Sequence, residues 1–187
     1  IESGDLLINA ANDSINTNEN HRSVLTINGG NVICNSGFGK DGDGLDSNGY
    51  LVINDGFVYA CANSYSMDSG LDSDEGIYIN GGVVFGSGNM YDEIKSESKQ
   101  KFLVLEFKEK ISGNDLIMMT DEKDFPIAAF SSLNHFKVAV FSSPVLENKK
   151  YNFYKVSAVT GDKKENIYFS IEDYKDAERI EVLQVNG

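Results

Sequence analysis

Hydrophobic and polar residues alternate along the first half of the chain, and the alternating segments recur every 26 residues. Residues 25–34, 51–60 and 77–86 align without a gap. Alternation is the period of a β-strand, and no window here has the three- and four-residue spacing of a helix. A repeat of this length is typical of a solenoid, in which each unit buries its apolar face by stacking on its neighbours. The pattern predicts an all-β fold, a parallel β-helix with about 26 residues per coil.

Each coil is predicted to contain three short strands whose inward side chains stack in columns. Cys34 belongs to an inward column, whereas Cys61 should face the opposite way, so we expect two buried thiols rather than a disulfide. Four glycines share the same spacing: Gly4, Gly30, Gly56 and Gly82. The inward columns are Leu25, Leu51 and Ile77; Ile27, Ile53 and Ile79; Leu6, Val32, Val58 and Val84; Ile8, Cys34, Ala60 and Gly86; and Ile15, Leu45 and Leu71.

The composition changes sharply near residues 88–98. Residues 1–93 contain 14 acidic and 2 basic residues and 15 of the 18 glycines, whereas residues 94–187 have nearly balanced charge and both prolines. We therefore expect two domains, a β-helix over residues 1–93 and a second domain over residues 94–187.

Short apolar runs in the second half are separated by Gly, Asp, Asn and Pro, which predicts a small antiparallel sheet or sandwich that caps the last coil. Residues 166–185 fit either a helical turn that leads into a strand or strand throughout. The predicted strands cover residues 102–107, 116–119, 127–130, 136–141 and 151–156.

The net charge of −13 limits the classes of partner. A surface this acidic repels phosphate backbones, so nucleic-acid binding is disfavoured and cations are the more natural ligands. No run approaches the roughly 20 apolar residues of a membrane helix, so we expect no membrane insertion. The first residues resemble no signal peptide, which suggests a soluble chain that is already processed or trimmed.

Acidic residues recur in register at the turn before the third strand of each coil. On stacked coils, equivalent residues lie about 4.8 Å apart, and two carboxylates at ~5 Å repel by roughly 3 kcal/mol at an effective dielectric near 20. Calcium is the ion we expect there, because it takes carboxylate, Asn and backbone oxygens. The alternative is that these are ordinary polar turn residues. The candidate ligands are Asn12, Asp13, Asn16, Asp41, Asp43, Asp46, Asp68, Asp72 and Asp74.

Several segments resemble one known family. Residues 10–16 (AANDSIN), 42–49 (GDGLDSNG) and 70–76 (GLDSDEG), with the INGG and INDG turns, are similar to the clostridial carbohydrate-binding β-helix family. That family binds cellulose and polygalacturonate and is related to family 9 pectate lyases. The resemblance covers residues 1 to about 90, and FSSP at residues 141–144 extends it thinly.

The resemblance implies a right-handed parallel β-helix, calcium in the acidic turns, secretion to the cell surface, and binding of an acidic plant-wall polysaccharide. It carries the calcium role onto Asn12, Asp13, Asn16, Asp43, Asp46 and Asp72. Ser69 replaces the Asp of the family's DG pair, so a site at the third coil would depend on Asp68 or Asp74.

A polysaccharide lyase is one alternative function. Lytic cleavage needs a Lys or Arg base close to the α-carbon, and Lys40 and Arg22 are the only candidates in the repeat. A lysine beside Asp41 and Asp43 retains its proton and is a poor base, so we expect Lys40 to offset the acidic column and the protein not to be an enzyme. A further alternative, from another class, is a surface adhesin or structural solenoid without glycan specificity.

The outward positions of the second strand form an apolar column of Leu7, Ile33, Tyr59 and Phe85, with Phe57 beside it. An apolar patch of this size is rarely left in water. Two interpretations remain open: the C-terminal segment packs over it, or sugar rings stack on Tyr59 and Phe57. Our prediction from the sequence is an extracellular, calcium-stabilised β-helix that binds a polysaccharide without turnover, with calcium bridging protein carboxylates to uronates.

Overall fold

The protein is an all-β molecule in which three coils of a parallel β-solenoid are followed by antiparallel sheets. The computed structural model describes the backbone of residues 1–187 and every side chain except that of Asn186. Across this described chain no helix is long and apolar enough to cross a membrane. The solenoid strands are β1 (Asp5–Asn9), β2 (Ile15–Thr17), β3 (Val24–Ile27), β4 (Asn31–Asn35), β5 (Leu45–Ser47), β6 (Tyr50–Ile53), β7 (Phe57–Cys61), β8 (Leu71–Ser73), β9 (Gly76–Ile79) and β10 (Val83–Gly88).

Three parallel sheets form the walls of the solenoid, and their register confirms the predicted repeat. One wall contains β1, β4, β7 and β10, the second contains β2, β5 and β8, and the third contains β3, β6 and β9. Leu25 pairs with Leu51, which pairs with Ile77, so equivalent residues are 26 apart. The spacing is 30 only where Ile15 pairs with Leu45, because the loop of residues 36–44 is longer than the loop of residues 10–14.

The predicted inward columns meet in one hydrophobic core inside the solenoid, and Ile27, Leu51, Ile53 and Val58 are fully buried. Cys34 lies in this core, whereas Cys61 lies in a different core on the other side of the wall; both thiols are free and buried, as expected.

Asparagines on the solenoid surface form a hydrogen-bonded ladder. The Asn54 amide donates to Asn28 Oδ1 (2.7 Å), and the Asn80 amide donates to Asn54 Oδ1 (2.8 Å). An amide is both donor and acceptor, so identical side chains satisfy one another from coil to coil.

The second half is antiparallel, as predicted. The five predicted strands are confirmed within a few residues at their ends, and residues 166–185 form short strands separated by turns and bends, with no helical turn. The strands are β11 (Phe102–Ile111), β12 (Leu116–Thr120), β13 (Pro126–Phe130), β14 (Phe136–Ser142), β15 (Asn152–Val156), β16 (Ala158–Thr160), β17 (Lys163–Lys164), β18 (Ile167–Tyr168), β19 (Asp173–Lys175), β20 (Glu178–Ile180) and β21 (Val182–Asn186).

The two halves share one sheet. The first solenoid wall continues from β10 into β14, β11 and β21, and β14 is antiparallel to β10. The expected boundary at residue 93 lies in the connection of residues 89–101. This connection follows β9, where Lys95 N–H donates to Ile77 O (2.8 Å) and Gln100 N–H donates to Ile79 O (3.1 Å). Two edges of the last coil are therefore covered.

A second core fills the space between the outer face of this wall and the sheet of β17, β18, β13, β12, β15 and β20. Tyr59 stacks on Phe85 with ring centroids 5.2 Å apart, and Phe85 meets Phe130 at 5.2 Å. The Tyr59 hydroxyl donates to Ser131 O (2.7 Å). Aromatic side chains from both halves thus form one continuous interior.

The prediction of a sugar-stacking platform on Tyr59 and Phe57 is wrong. Tyr59 is 1% exposed and Phe57 is 4% exposed, because the second half packs over them. Phe57 contacts the edge of Phe169, and the Lys164 ammonium lies 4.6 Å from the centroid of its ring. The alternative, in which the C-terminal segment covers the apolar column, is confirmed at these two positions. Leu7, at the first coil, remains 68% exposed.

Candidate functional site

The acidic turn residues come together along one corner of the solenoid, at the entry to the wall of β2, β5 and β8. We call this set the acidic corner. Asn16 pairs with Asp46, which pairs with Asp72, as the sequence columns predicted. The corner comprises Asn12, Asp13, Asn16, Asp41, Asp43, Asp46, Asp68, Asp72 and Asp74.

Carboxylates in the acidic corner point along the solenoid axis toward the next coil. Asp13 Oδ1 accepts a hydrogen bond from Asp43 N–H (3.0 Å), and Asp43 Oδ1 accepts one from Ser69 N–H (2.6 Å). The Asn16 amide donates to Asp13 Oδ2 (3.0 Å) and also contacts the Asp46 carboxylate. Each coil therefore fixes the acidic side chain of its neighbour through the backbone.

Gly42 makes this close stacking possible. Its φ is +140°, and a Cβ at this position would lie 2.5 Å from the carbonyl carbon of Asn12. Its N–H donates to the Asp68 carboxylate. A side chain at position 42 would separate Asn12 from the coil above it, so the Asp-Gly sequence of this turn has a steric origin.

Burial raises the pKa values of three carboxyl groups in the acidic corner. The pKa of Asp43 rises to about 7, mainly through desolvation, even though the Ser69 N–H favours its ionised form. The pKa of Asp72 rises to about 9, through burial and then through its contact with Asp92. Burial and the Asp13 charge raise the pKa of Asp46. Each group resists ionisation because the corner provides little water and many like charges.

Carboxyl groups in the acidic corner act on one another's pKa values. Asp13 raises the pKa of Asp46, and Asp92 raises the pKa of Asp72, in each case after the larger effect of burial. Among the described side chains, no Lys, Arg or His forms an ion pair with any residue of the corner. Lys40, which we expected to offset this charge, is exposed and has no such partner.

Asp92 was missed by the sequence reasoning. It follows β10 in the connection to the second half, and its carboxylate accepts a hydrogen bond from Ser73 N–H (3.3 Å). No 26-residue spacing links it to Asp72, so the repeat pattern gave no signal for it. The only available indication was an acidic pair, Asp92 and Glu93, at the end of the acidic half of the chain.

Residues of the acidic corner meet in pairs. Within the described residues, no three or more His, Cys, Asp and Glu side chains converge as a metal centre. Calcium also takes amide and backbone carbonyl oxygens, and the amide of Asn16 lies between Asp13 and Asp46. Asp41 and Asp74 are exposed at the margin, and no hydrogen bond of their carboxylates to the other members is seen in the described chain.

Two loops beside the acidic corner carry exposed apolar residues, which the sequence reasoning also missed. We call residues 36–44 and 62–70 the corner loops; each is longer than the equivalent loop of the first coil, residues 10–14. Phe38, Tyr65 and Met67 are 66%, 82% and 71% exposed. The change of spacing from 26 to 30 residues was the available signal, since it places an insertion at this corner.

Comparison with known proteins adds no assignment: no family model, curated protein or solved structure matches the chain. The fold and the corner define a parallel β-solenoid protein with a stacked, uncompensated row of carboxyl groups.

Proposed function

We propose that the protein binds acidic plant-wall polysaccharide through calcium, outside the cell, without cleaving it. The observation that carries the proposal is the row of half-buried carboxyl groups with no cationic side chain. Calcium has the right chemistry for this row, because it is bound by carboxylate, amide and carbonyl oxygens together.

A divalent cation would offset the unfavourable environment of these carboxyl groups. The pKa values of Asp43, Asp46 and Asp72 are raised mainly because burial disfavours the charged forms, and neighbouring Asp charges add to this effect. A bound calcium ion displaces these protons and replaces repulsion by attraction, so metal affinity increases with pH in the range where the carboxyl groups titrate. Weak sites of this kind suit extracellular calcium, which extracellular modules bind at about 0.1 to 1 mM.

Charge argues for calcium as a bridge to the polysaccharide. A protein of net charge −13 repels a polyuronate over distances set by the Debye length, about 8 Å at physiological salt. An ion shared between Asp carboxylates and uronate carboxylates reverses this repulsion at the acidic corner. The stacked coils repeat the site along the axis, as the polymer repeats its carboxylates.

The test is polygalacturonate binding, measured by isothermal titration calorimetry with about 2 mM calcium, roughly ten times the Kd of a weak site, and again with chelator. We expect binding with calcium and none after its removal. Asp46→Asn should weaken binding, whereas Glu19→Gln, an exposed acid elsewhere on the solenoid, should not.

Other outcomes identify the alternatives. Calcium-dependent stability without retention of any glycan would contradict the proposal and support a structural solenoid or adhesin. Binding that persists after complete calcium removal would contradict the bridge. Unsaturated products from polygalacturonate that disappear in Lys40→Ala would instead identify a lyase.

A further inference from the structure

The corner loops differ from the rest of the solenoid surface in the side chains they expose. Most large apolar side chains of the coils face one of the two cores, but Phe38, Tyr65 and Met67 project from the loops that lead directly into the acidic corner. Contiguous exposed apolar patches rimmed by polar residues mark interaction or ligand-binding sites.

Buried amides hold the corner loops in place. Asn63 is fully buried, its amide donates to Ser36 O (3.2 Å) and Gly39 O (3.0 Å), and its Oδ1 accepts from Tyr65 N–H (2.9 Å). One side chain therefore ties the loop of Phe38 to the loop of Tyr65. The two rings are presented on a fixed backbone, which reduces the ordering cost of binding a ligand.

The second half braces the same loops. Asn134 donates from its amide to Asn35 Oδ1 (2.9 Å) and to Ala62 O (2.8 Å), at the starts of the two corner loops. Ser64 Oγ accepts from His135 N–H (2.9 Å). The antiparallel half thus supports the loops from behind and leaves Phe38 and Tyr65 exposed.

Lys40 adds a positive charge to this surface. It is the only lysine in residues 1–93, it follows Phe38 by two residues, and no hydrogen bond or ion pair of its ammonium is seen in the described chain. An exposed ring and an unpaired ammonium on one loop are complementary to a ligand that has an apolar ring face and a carboxylate. A uronate sugar has both.

We propose that the corner loops are the surface that contacts the uronate residues of the polysaccharide. Phe38 and Tyr65 pack against the apolar faces of the sugar rings, and Lys40 pairs with a sugar carboxylate. The neighbouring acidic corner binds the calcium that holds the next carboxylate. This inference rests on the proposed function and identifies the part of the surface that recognises the polymer.

The experiment measures polygalacturonate affinity by calorimetry in saturating calcium for Phe38→Ala, Tyr65→Ala and Lys40→Gln. The control variants are Phe125→Ala and Lys123→Gln, two exposed positions on the turn between β12 and β13, in the second half. Truncating either ring should weaken binding roughly threefold to tenfold. Lys40→Gln should weaken it roughly twofold to fivefold, with a smaller effect at high salt, and Lys40→Arg should restore most of the affinity.

Thermal unfolding distinguishes a contact role from a structural role for these residues. Because all three side chains are exposed, the proposal predicts that the variants keep the melting temperature of the unmodified protein and its increase with calcium. Losses of affinity at unchanged stability support the proposal, whereas losses that follow a lower melting temperature overturn it.

Failure of this inference is distinguishable from failure of the proposed function. If the unmodified protein binds polygalacturonate with calcium but none of the three variants changes the affinity beyond the controls, the corner loops are not the contact surface and the proposed function stands. If the unmodified protein does not bind in calcium, both are overturned.

Discussion

The pKa values of aspartate side chains are shifted in opposite directions in the two halves of the molecule. In the solenoid the pKa values of Asp43 and Asp72 are raised to about 7 and about 9, mainly by burial. In the antiparallel half the pKa values of Asp121 and Asp124 are lowered, by two backbone N–H groups and by the Tyr154 hydroxyl with the Asn152 amide respectively. At Asp43, burial and neighbouring Asp charges outweigh the one backbone donor, Ser69 N–H, whereas Asp121 and Asp124 each accept hydrogen bonds from two donors.

The asparagine ladder shows that stacking identical residues is not itself the difficulty. Asn28, Asn54 and Asn80 satisfy one another because an amide both donates and accepts. Ionised carboxylates only accept, so an Asp row needs protons or a cation between its members. Stacking of equivalent residues therefore satisfies the hydrogen bonds of the asparagine ladder but brings carboxyl groups of like charge together in the acidic corner.

The largest expected effect comes from breaking the interior that joins the halves. Tyr59→Ala should destabilise the protein by about 3–5 kcal/mol, because it removes a fully enclosed ring and leaves a cavity against Phe85. Tyr59→Phe, which removes the hydroxyl that donates to Ser131 O and accepts from the Asn166 amide, should cost about 1–2 kcal/mol. Chemical denaturation measures both; equal, small effects would contradict the role of Tyr59 in the core.

The opposite pKa shifts predict opposite pH dependences for the two halves. In calcium-free protein, folded Asp43 binds its proton more tightly than unfolded Asp43 does, so its contribution is fully present below pH about 4 and is lost as pH rises to about 7. The loss should be about 1–3 kcal/mol, given one pKa unit per about 1.4 kcal/mol and partial exposure to solvent.

Asp124 should do the reverse, since a lowered pKa contributes stability at neutral pH that is lost on acidification. Urea unfolding from about pH 3 to about pH 8 tests this with Asp43→Asn and Asp124→Asn. The first variant should flatten the decline toward neutral pH, and the second should flatten the decline toward acid. The same pH profile in both variants would argue against the contrast between the halves.

Calcium should selectively stabilise the solenoid. At ten times the Kd, a single site adds about 1.4 kcal/mol to the free energy of unfolding. A calcium titration followed by thermal unfolding at pH 7 should show this increase, and Asp46→Asn should reduce it, because Asp46 interacts with both Asp13 and Asp72. If calcium stabilises Asp46→Asn as much as it stabilises the unmodified protein, Asp46 is not a calcium ligand.

The smallest expected effect tests the neutral ladder. Asn54→Ala should cost about 0.5–1.5 kcal/mol, because Asn28 and Asn80 each lose a partner at an exposed position. Asn54→Asp should cost more at pH 7 than at pH 4, since the carboxylate cannot donate to Asn28. Denaturation at the two pH values measures the difference, and equal costs would show that donor loss is unimportant.

Periodicity explains how much of the fold and the site was predictable. The columns around Leu51 and the stacking of Asp46 on Asp72 follow from the 26-residue spacing alone. The burial of Tyr59 does not, because alternation shows that an outward face is apolar but not which segment packs on it. Asp92 and Tyr65 lie outside the regular spacing, in a connection and in an enlarged loop, where no periodic signal exists.

The second half of the molecule pairs with the solenoid at β10, where β14 runs antiparallel to it, so this junction involves only the final coil. Upstream of it, the second and third coils pair in all three walls with a spacing of 26 residues, so duplication of one such unit would lengthen the solenoid without changing how neighbouring coils pair. Each added unit would bring another set of acidic turn residues, so copying a single segment of the gene would lengthen both the solenoid and its acidic corner.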